Sequence, residues 1–122
     1  MSQEIVLNGR WIQTYFNEDG VDLSTKDLSS NSISEFQDGR FEVRSPDDNV
    51  ILKGVYIIHE NTDPPAIDWQ DSIGGDVGKT FLAIYELTHN TFIFSASDEG
   101  LARPACFNPK PGHTIRKFKR VG

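Results

Sequence analysis

The segment Gly74-Gly75-Asp76-Val77-Gly78-Lys79-Thr80 has the residue types of a phosphate-binding loop, glycines running into Lys-Thr. In the Gly-x4-Gly-Lys-Thr pattern the first glycine would fall at position 73, which is Ile73. The residues after Thr80 read as a strand, so no helix N-terminus would face a phosphate, and the stretch is read as a loop. The histidines His59, His89 and His113 share no spacing that brings two imidazoles to one metal, and all three fall at strand ends or turns, where exposure is expected. Cys106 is the only cysteine, which excludes an internal disulfide and a thiolate cluster. No Cys-His signature surrounds it, so it is read as a structural or incidental thiol, in keeping with the usual buried cysteine. Glu18/Asp19 and Asp47/Asp48 lie in polar turns as solvated or capping groups. There is no Ser-His-Asp order and no Gly-x-Ser-x-Gly. The sequence therefore offers no catalytic residues, no metal ligands and no cofactor site, and a non-enzymatic role is expected.

The remaining signal is aromatic, and it depends on the elements that carry it. Short alternating segments, bounded by turn residues, read as eight strands: about 9–17, 32–37, 40–45, 50–59, 66–70, 79–87, 91–97 and 113–121. Asp38-Gly39 suits the positive φ angles of a two-residue hairpin turn. Gly54 falls inside a strand, where barrels bend or bulge. Residues 21–30 are weakly patterned and read as one helical turn or a loop over a barrel mouth. With no convincing helix and short connections, the expected fold is all-β: an eight-stranded antiparallel up-and-down barrel of lipocalin-like, calycin type, closed so that no edge is exposed. Its one domain spans residues 1–122.

Such a barrel makes neighbours of its first and last strands. Gly9 and Trp11 near the start can then meet Arg120 near the end, the indole plugging one end with the guanidinium across its face. Alternation assigns to the interior Trp11, Phe41, Val43, Leu52, Tyr56, Ile67, Trp69, Phe81, Tyr85, Phe92, Phe94 and Phe118. These side chains either fill the lumen or line a cavity in it. For a cavity, the expected ligand-binding set is Phe41, Tyr56, Trp69, Tyr85 and Phe94, with Arg103 orienting a ligand carboxylate. Residues 80–87 are apolar on both faces, so something is expected to cover part of the outside: the 21–30 segment or another subunit.

All 18 acidic residues and 6 of the 12 basic ones fall within residues 1–99, a net −12, and residues 100–122 carry +6. An acidic body excludes the broad basic footprint that nucleic acid needs. Arg116, Lys117, Lys119 and Arg120 alternate around Phe118 as solvated positions of a last strand. No apolar run is long enough to span a bilayer. The N-terminal residues lack the basic and apolar regions of a signal peptide, so a cytoplasmic location is expected.

The chain resembles an uncharacterised bacterial family of lipocalin-like domains of planctomycete and myxobacterial type. The resemblance rests on Leu7, Gly9 and Trp11, on Ala66-Ile67-Asp68-Trp69, and on Gly78-Lys79-Thr80 leading into Ile84-Tyr85-Glu86-Leu87. Arg103-Pro104-Ala105-Cys106-Phe107 and the terminal Lys119-Arg120 extend it. Ala83, where the family has glycine, and Ser95, where relatives often carry cysteine, depart from it. The resemblance implies a lipocalin-type barrel and brings no catalytic residues with it.

Two functions from different classes are consistent with these features. One is a binding protein that holds a small apolar or amphipathic ligand in the barrel, with residues 17–30 and 71–78 at its mouths. It requires a cavity of roughly 300 Å3 or more. The other is an acidic cytoplasmic interaction module, such as an inhibitor or immunity protein for a basic toxin, with complementary charge guiding the protein partner. It requires a filled lumen and a contiguous acidic or apolar outer patch.

Overall fold

The computed structural model describes residues 7–23 and 32–121. Among the described residues nine strands occur in order: β1 (Gly9–Glu18), β2 (Val21–Asp22), β3 (Ile33–Gln37), β4 (Arg40–Arg44), β5 (Val50–His59), β6 (Ala66–Asp71), β7 (Thr80–Leu87), β8 (Thr91–Ser97) and β9 (His113–Arg120). Apart from the two-residue β2, which only extends β1, each barrel strand pairs antiparallel with the next, and β9 returns to β1. The result is a closed eight-stranded up-and-down barrel, as alternation and turn spacing indicate. Asp38 and Gly39 form the β3–β4 turn at φ 50° and 87°, the left-handed conformation that the Asp-Gly pair accommodates. Residues 21–30 divide: Val21 and Asp22 pair with Glu18 and Asn17 as strand, and most of the stretch expected as a helical turn or mouth loop falls on residues 24–31, outside the described residues.

Gly54 is not at a bulge. It keeps register between Phe41 and Asp71, and the shifts fall instead at Gln13/Tyr15 on β1 and beside Arg44, where β4 pairs with β5. Glycine is required at 54 by close approach. A Cβ there would lie 2.1 Å from the Gln70 carbonyl oxygen and 2.7 Å from Cε1 of Phe41. The absent side chain lets the Phe41 ring lie across β5, inside the barrel.

The inward rows carry aromatic side chains at the density of a packed core. Phe36 stands at their centre, with ring centroids 5.8 Å from Tyr56, Trp69 and Phe92 and 6.4 Å from Phe41 and Phe118. Tilted and edge-to-face pairs at these separations add to the stabilisation from burial alone. All twelve residues assigned to the interior by alternation belong to this core or pack against it. Phe36 is an addition to that set. Its strand presents Ser32, Ser34 and Phe36 inward and Ile33 outward, so apolar alternation gives no phase there.

The outer face is covered in part by residues 98–112, which strap back over the barrel between β8 and β9. Arg103 reaches from this strap to Asp68 on β6 and to the Ala83 carbonyl on β7. Pro104 beside it is buried. Across the sheet, the outward row Ala66, Ile84, Ser95, Ile115 and Asn17 is laterally paired and buried throughout. The strap thus accounts for part of the two-faced apolar pattern; of the 21–30 segment expected there, residues 24–30 lie outside the described residues. His113, expected at an exposed strand end, is buried on the same side, and its imidazole is pushed to lower pKa by burial and by Lys110, against the opposing pull of Asp98. Cys106, read as a buried thiol, is exposed on the strap.

Candidate functional site

The two ends of the barrel differ. At the end reached by the start of β1, Trp11 is fully buried and donates its indole N–H to the Leu7 carbonyl at 2.9 Å. The Arg120 guanidinium lies over it, with Cζ 4.2 Å from the ring centroid. Arg120 also donates from Nε to the His89 carbonyl at 2.6 Å and from Nη1 to the Asn8 carbonyl at 2.9 Å. Gly9, at φ 137°, bends the chain into β1 so that Leu7 and Asn8 fold under the indole. Asn8 and Asp38 exchange two hydrogen bonds at 3.0 Å, tying this segment to the β3–β4 turn. This end is sealed by side chains and backbone together.

The opposite half is hollow. A cavity of about 530 Å3 opens between the ends of β1, β6, β8 and β9 and the connection from β6 to β7. Phe36, Phe41, Trp69, Phe94 and Phe118 form its deep wall, with Val43, Leu52, Phe81 and Ala96 along the sides. Its rim is polar. Among the described residues, Glu18, Asp71, Asp76 and Asp98 stand there with one base, Arg116, and with Gln13, Ser32, Ser34 and Thr114.

Each rim group on a strand is placed by the phase of that strand. Asp71 lies two residues beyond inward Trp69, Gln13 two beyond Trp11, and Arg116 two before Phe118. Arg116 is engaged within the lumen: it donates to Gln13 Oε1 at 2.5 Å, and its Cζ lies 4.0 Å from the Phe16 ring centroid. Burial pushes the Asp71 carboxyl above its ordinary pKa, nearby Asp76 adds to the rise, and Arg116 opposes it. Asp76 accepts a hydrogen bond from Lys79 Nζ at 3.2 Å. Trp69 is nine-tenths buried on the cavity wall, and its indole N–H has no hydrogen-bond partner among the described residues.

Of the ligand-binding set read from sequence, Phe41, Trp69 and Phe94 line this cavity. Tyr56 and Tyr85 are buried in the filled half of the core instead, each with its phenol pushed to higher pKa by burial, and neither lines it. Arg103 is not at the lumen at all. It stands outside the barrel, donating from Nη1 to Asp68 Oδ1 at 2.6 Å, while His59 Nε2 meets Asp68 Oδ2 at 2.9 Å. Burial alone would raise the Asp68 pKa, but Arg103 and His59 together hold it below the ordinary carboxylate range. The furrow beside this cluster is walled mainly by exposed His59, Glu60, Asn61 and Thr62 and has no apolar floor to match the lumen. Of the segments expected at the mouths, 17–30 and 71–78, Glu18, Asp71 and Asp76 stand at the open mouth, and residues 24–30 lie outside the described residues.

Arg116, Gln13 and Asp71 are site residues that alternation of apolar positions does not find. Arg116 reads from sequence as a solvated position of the last strand, yet only Lys117 and Lys119 of that run point outward and are exposed. A signal for all three is nonetheless present: each shares the two-residue phase of a neighbouring buried aromatic.

Among the described residues no three of His, Cys, Asp and Glu are grouped to hold a metal ion, and no helix is long and apolar enough to cross a membrane. The fold and site define a closed lipocalin-like barrel with one sealed end and one open lumen. No protein-family model, curated protein or solved structure matches the chain.

Proposed function

We propose that the protein is a non-catalytic, cytoplasmic carrier that holds a small apolar or amphipathic molecule in the open half of its barrel. The observation that carries this reading is the cavity itself: about 530 Å3, aromatic in its depth and polar at its rim. That size and that division of surface are those of pockets that enclose small molecules and orient them by a few polar groups. The sealed end gives the ligand one route in and out. The sequence resemblance to bacterial lipocalin-like domains points the same way.

Native mass spectrometry of the protein purified gently from its own host tests the proposal. An added mass of a few hundred daltons, lost in an Ala96→Phe variant that keeps its β-sheet circular dichroism, is the expected result. A bare chain that also takes up no small amphiphile in solution overturns it.

The second reading, a docking module for a basic protein, is favoured by the acidic body and by the outer face of β5. There Val55 and Ile57 are exposed, Ile57 by 61%. A stoichiometric second polypeptide in the same spectrum, with no small adduct, is its signature.

A further inference from the structure

We propose that the lumen is selective for amphipathic amines: molecules with an apolar body and a cationic head. The inference rests on the carrier reading above and names the chemistry of its ligand. The deep wall is five aromatic rings, whose faces attract cations as well as apolar groups. Among the described residues the rim holds four carboxylates to one guanidinium. That guanidinium is already turned onto Phe16 and bonded to Gln13, so it faces an incoming carboxylate with its charge partly satisfied. Lys79 offsets Asp76 in part, and Arg116 offsets part of the charge of Asp71; among the described residues the field at the mouth stays negative, with Glu18, Asp71, Asp76 and Asp98 against these two cations.

Asp71 is the residue best placed to meet the head group. It shares an inward strand phase with Trp69, one step up the same face of β6, so a cation held by Asp71 would leave its apolar body against Trp69. Burial and Asp76 already make the Asp71 charge costly in the empty barrel. A bound ammonium group relieves that cost, whereas a bound carboxylate would add to it. An opposite charge is therefore favoured twice, by direct attraction and by offsetting the repulsion between Asp71 and Asp76.

Three probes with one body and different heads test this: decylamine, decanol and decanoate, each titrated into the 15N-labelled chain at neutral pH. The chain has two tryptophans, so the indole N–H groups of Trp11 and Trp69 give two resonances, one at the sealed end and one at the cavity wall. The expected result is that decylamine shifts the Trp69 resonance and leaves that of Trp11 in place, binding at least about tenfold more tightly than decanoate. That preference should shrink as salt is added and fall in Asp71→Asn, while decanol binding stays the same in the variant. Decanoate binding as tightly as decylamine, or more so, overturns the amine inference and leaves the carrier reading standing. Failure of all three to move the Trp69 resonance overturns both.

Discussion

Arg103 Nη1 and Asp68 Oδ1 lie 2.6 Å apart although 35 positions separate them in sequence, and this ion pair fastens the outer strap to β6. The same guanidinium donates to the Ala83 carbonyl at 2.9 Å, so one side chain holds the strap to two strands. His59 completes the carboxylate's environment from β5. The arrangement is a clasp rather than a ligand site, and its strength depends on the charge of Asp68.

Arg103→Ala should therefore cost about 2 kcal/mol, the worth of a partly buried charge-assisted hydrogen-bond set, with faster amide exchange across residues 98–112. The pH dependence is set by the Asp68 carboxyl. Its folded pKa is lowered, so its contribution is complete above its unfolded value near ~4 and is lost as pH falls through the folded value. Urea unfolding of the wild type and Asp68→Asn should show a gap above about pH 5 that closes in stronger acid. Equal stability of the two proteins at neutral pH would show that the clasp contributes nothing.

The sealed end makes a separate prediction. Arg120→Ala removes the cation from the Trp11 face and two donors from the His89 and Asn8 carbonyls. A loss of about 2 kcal/mol, seen as a fall of several degrees in Tm, is expected. Because Arg120 is at the far end of β9 from the cavity, decylamine affinity should not change. An unchanged Tm would show that the plug is not held by this residue.

Gly54→Ala should be destabilising by about 1–3 kcal/mol, a large effect for one methyl group on a strand that would otherwise gain from it. The added carbon would meet the Gln70 carbonyl oxygen and the Phe41 ring, and only the ring can move. Phe41 lines the cavity, so the variant should also lose ligand affinity. The double variant Gly54→Ala/Phe41→Leu should recover part of the stability, which a chemical-denaturation cycle would measure.

How far the fold can be read from residues alone divides along physical lines. Eight strands are legible because each alternates or ends on a turn residue with a definite conformation, as at Asp38-Gly39. The plug is legible because barrel closure must bring Trp11 and Arg120 together. Phe36 escapes because serines share its inward row, so no apolar period marks that strand. Arg103 is misplaced because nothing local distinguishes an arginine that enters a lumen from one that crosses the outside. Gln13, Asp71 and Arg116 escape for the opposite reason: polar residues on strands are taken as solvated unless the phase of adjacent aromatics is followed through them.

The two tryptophans should respond differently to the same change. Trp11→Phe strips a buried carbonyl, that of Leu7, of its donor and uncovers the base of the plug, at a cost of about 2 kcal/mol or more. Trp69→Phe removes an indole N–H that has no partner among the described residues, so the loss of ring area is offset by relief of an unsatisfied donor. Thermal melts should place Trp69→Phe well above Trp11→Phe. The reverse order would mean that Trp69 is held by a contact that the closed wall does not provide.

Asp71 sets stability against binding. Its folded pKa is raised, so between the unfolded value near ~4 and the folded value the native state holds the extra proton, and stability declines as pH rises through that window. Above the window the charged carboxylate is a standing cost, borne among apolar walls and beside Asp76. Asp71→Asn removes that cost while keeping size and hydrogen-bonding capacity, so at neutral pH the variant should melt higher than the wild type, and the two should converge in acid. The same variant should bind decylamine less well. A residue whose removal stabilises the empty barrel while weakening the complex is held for its ligand, and calorimetric melts of both proteins at about pH 4 and 7, with and without decylamine, separate the two effects. If Asp71→Asn melts lower than the wild type at neutral pH, the carboxylate serves the fold instead.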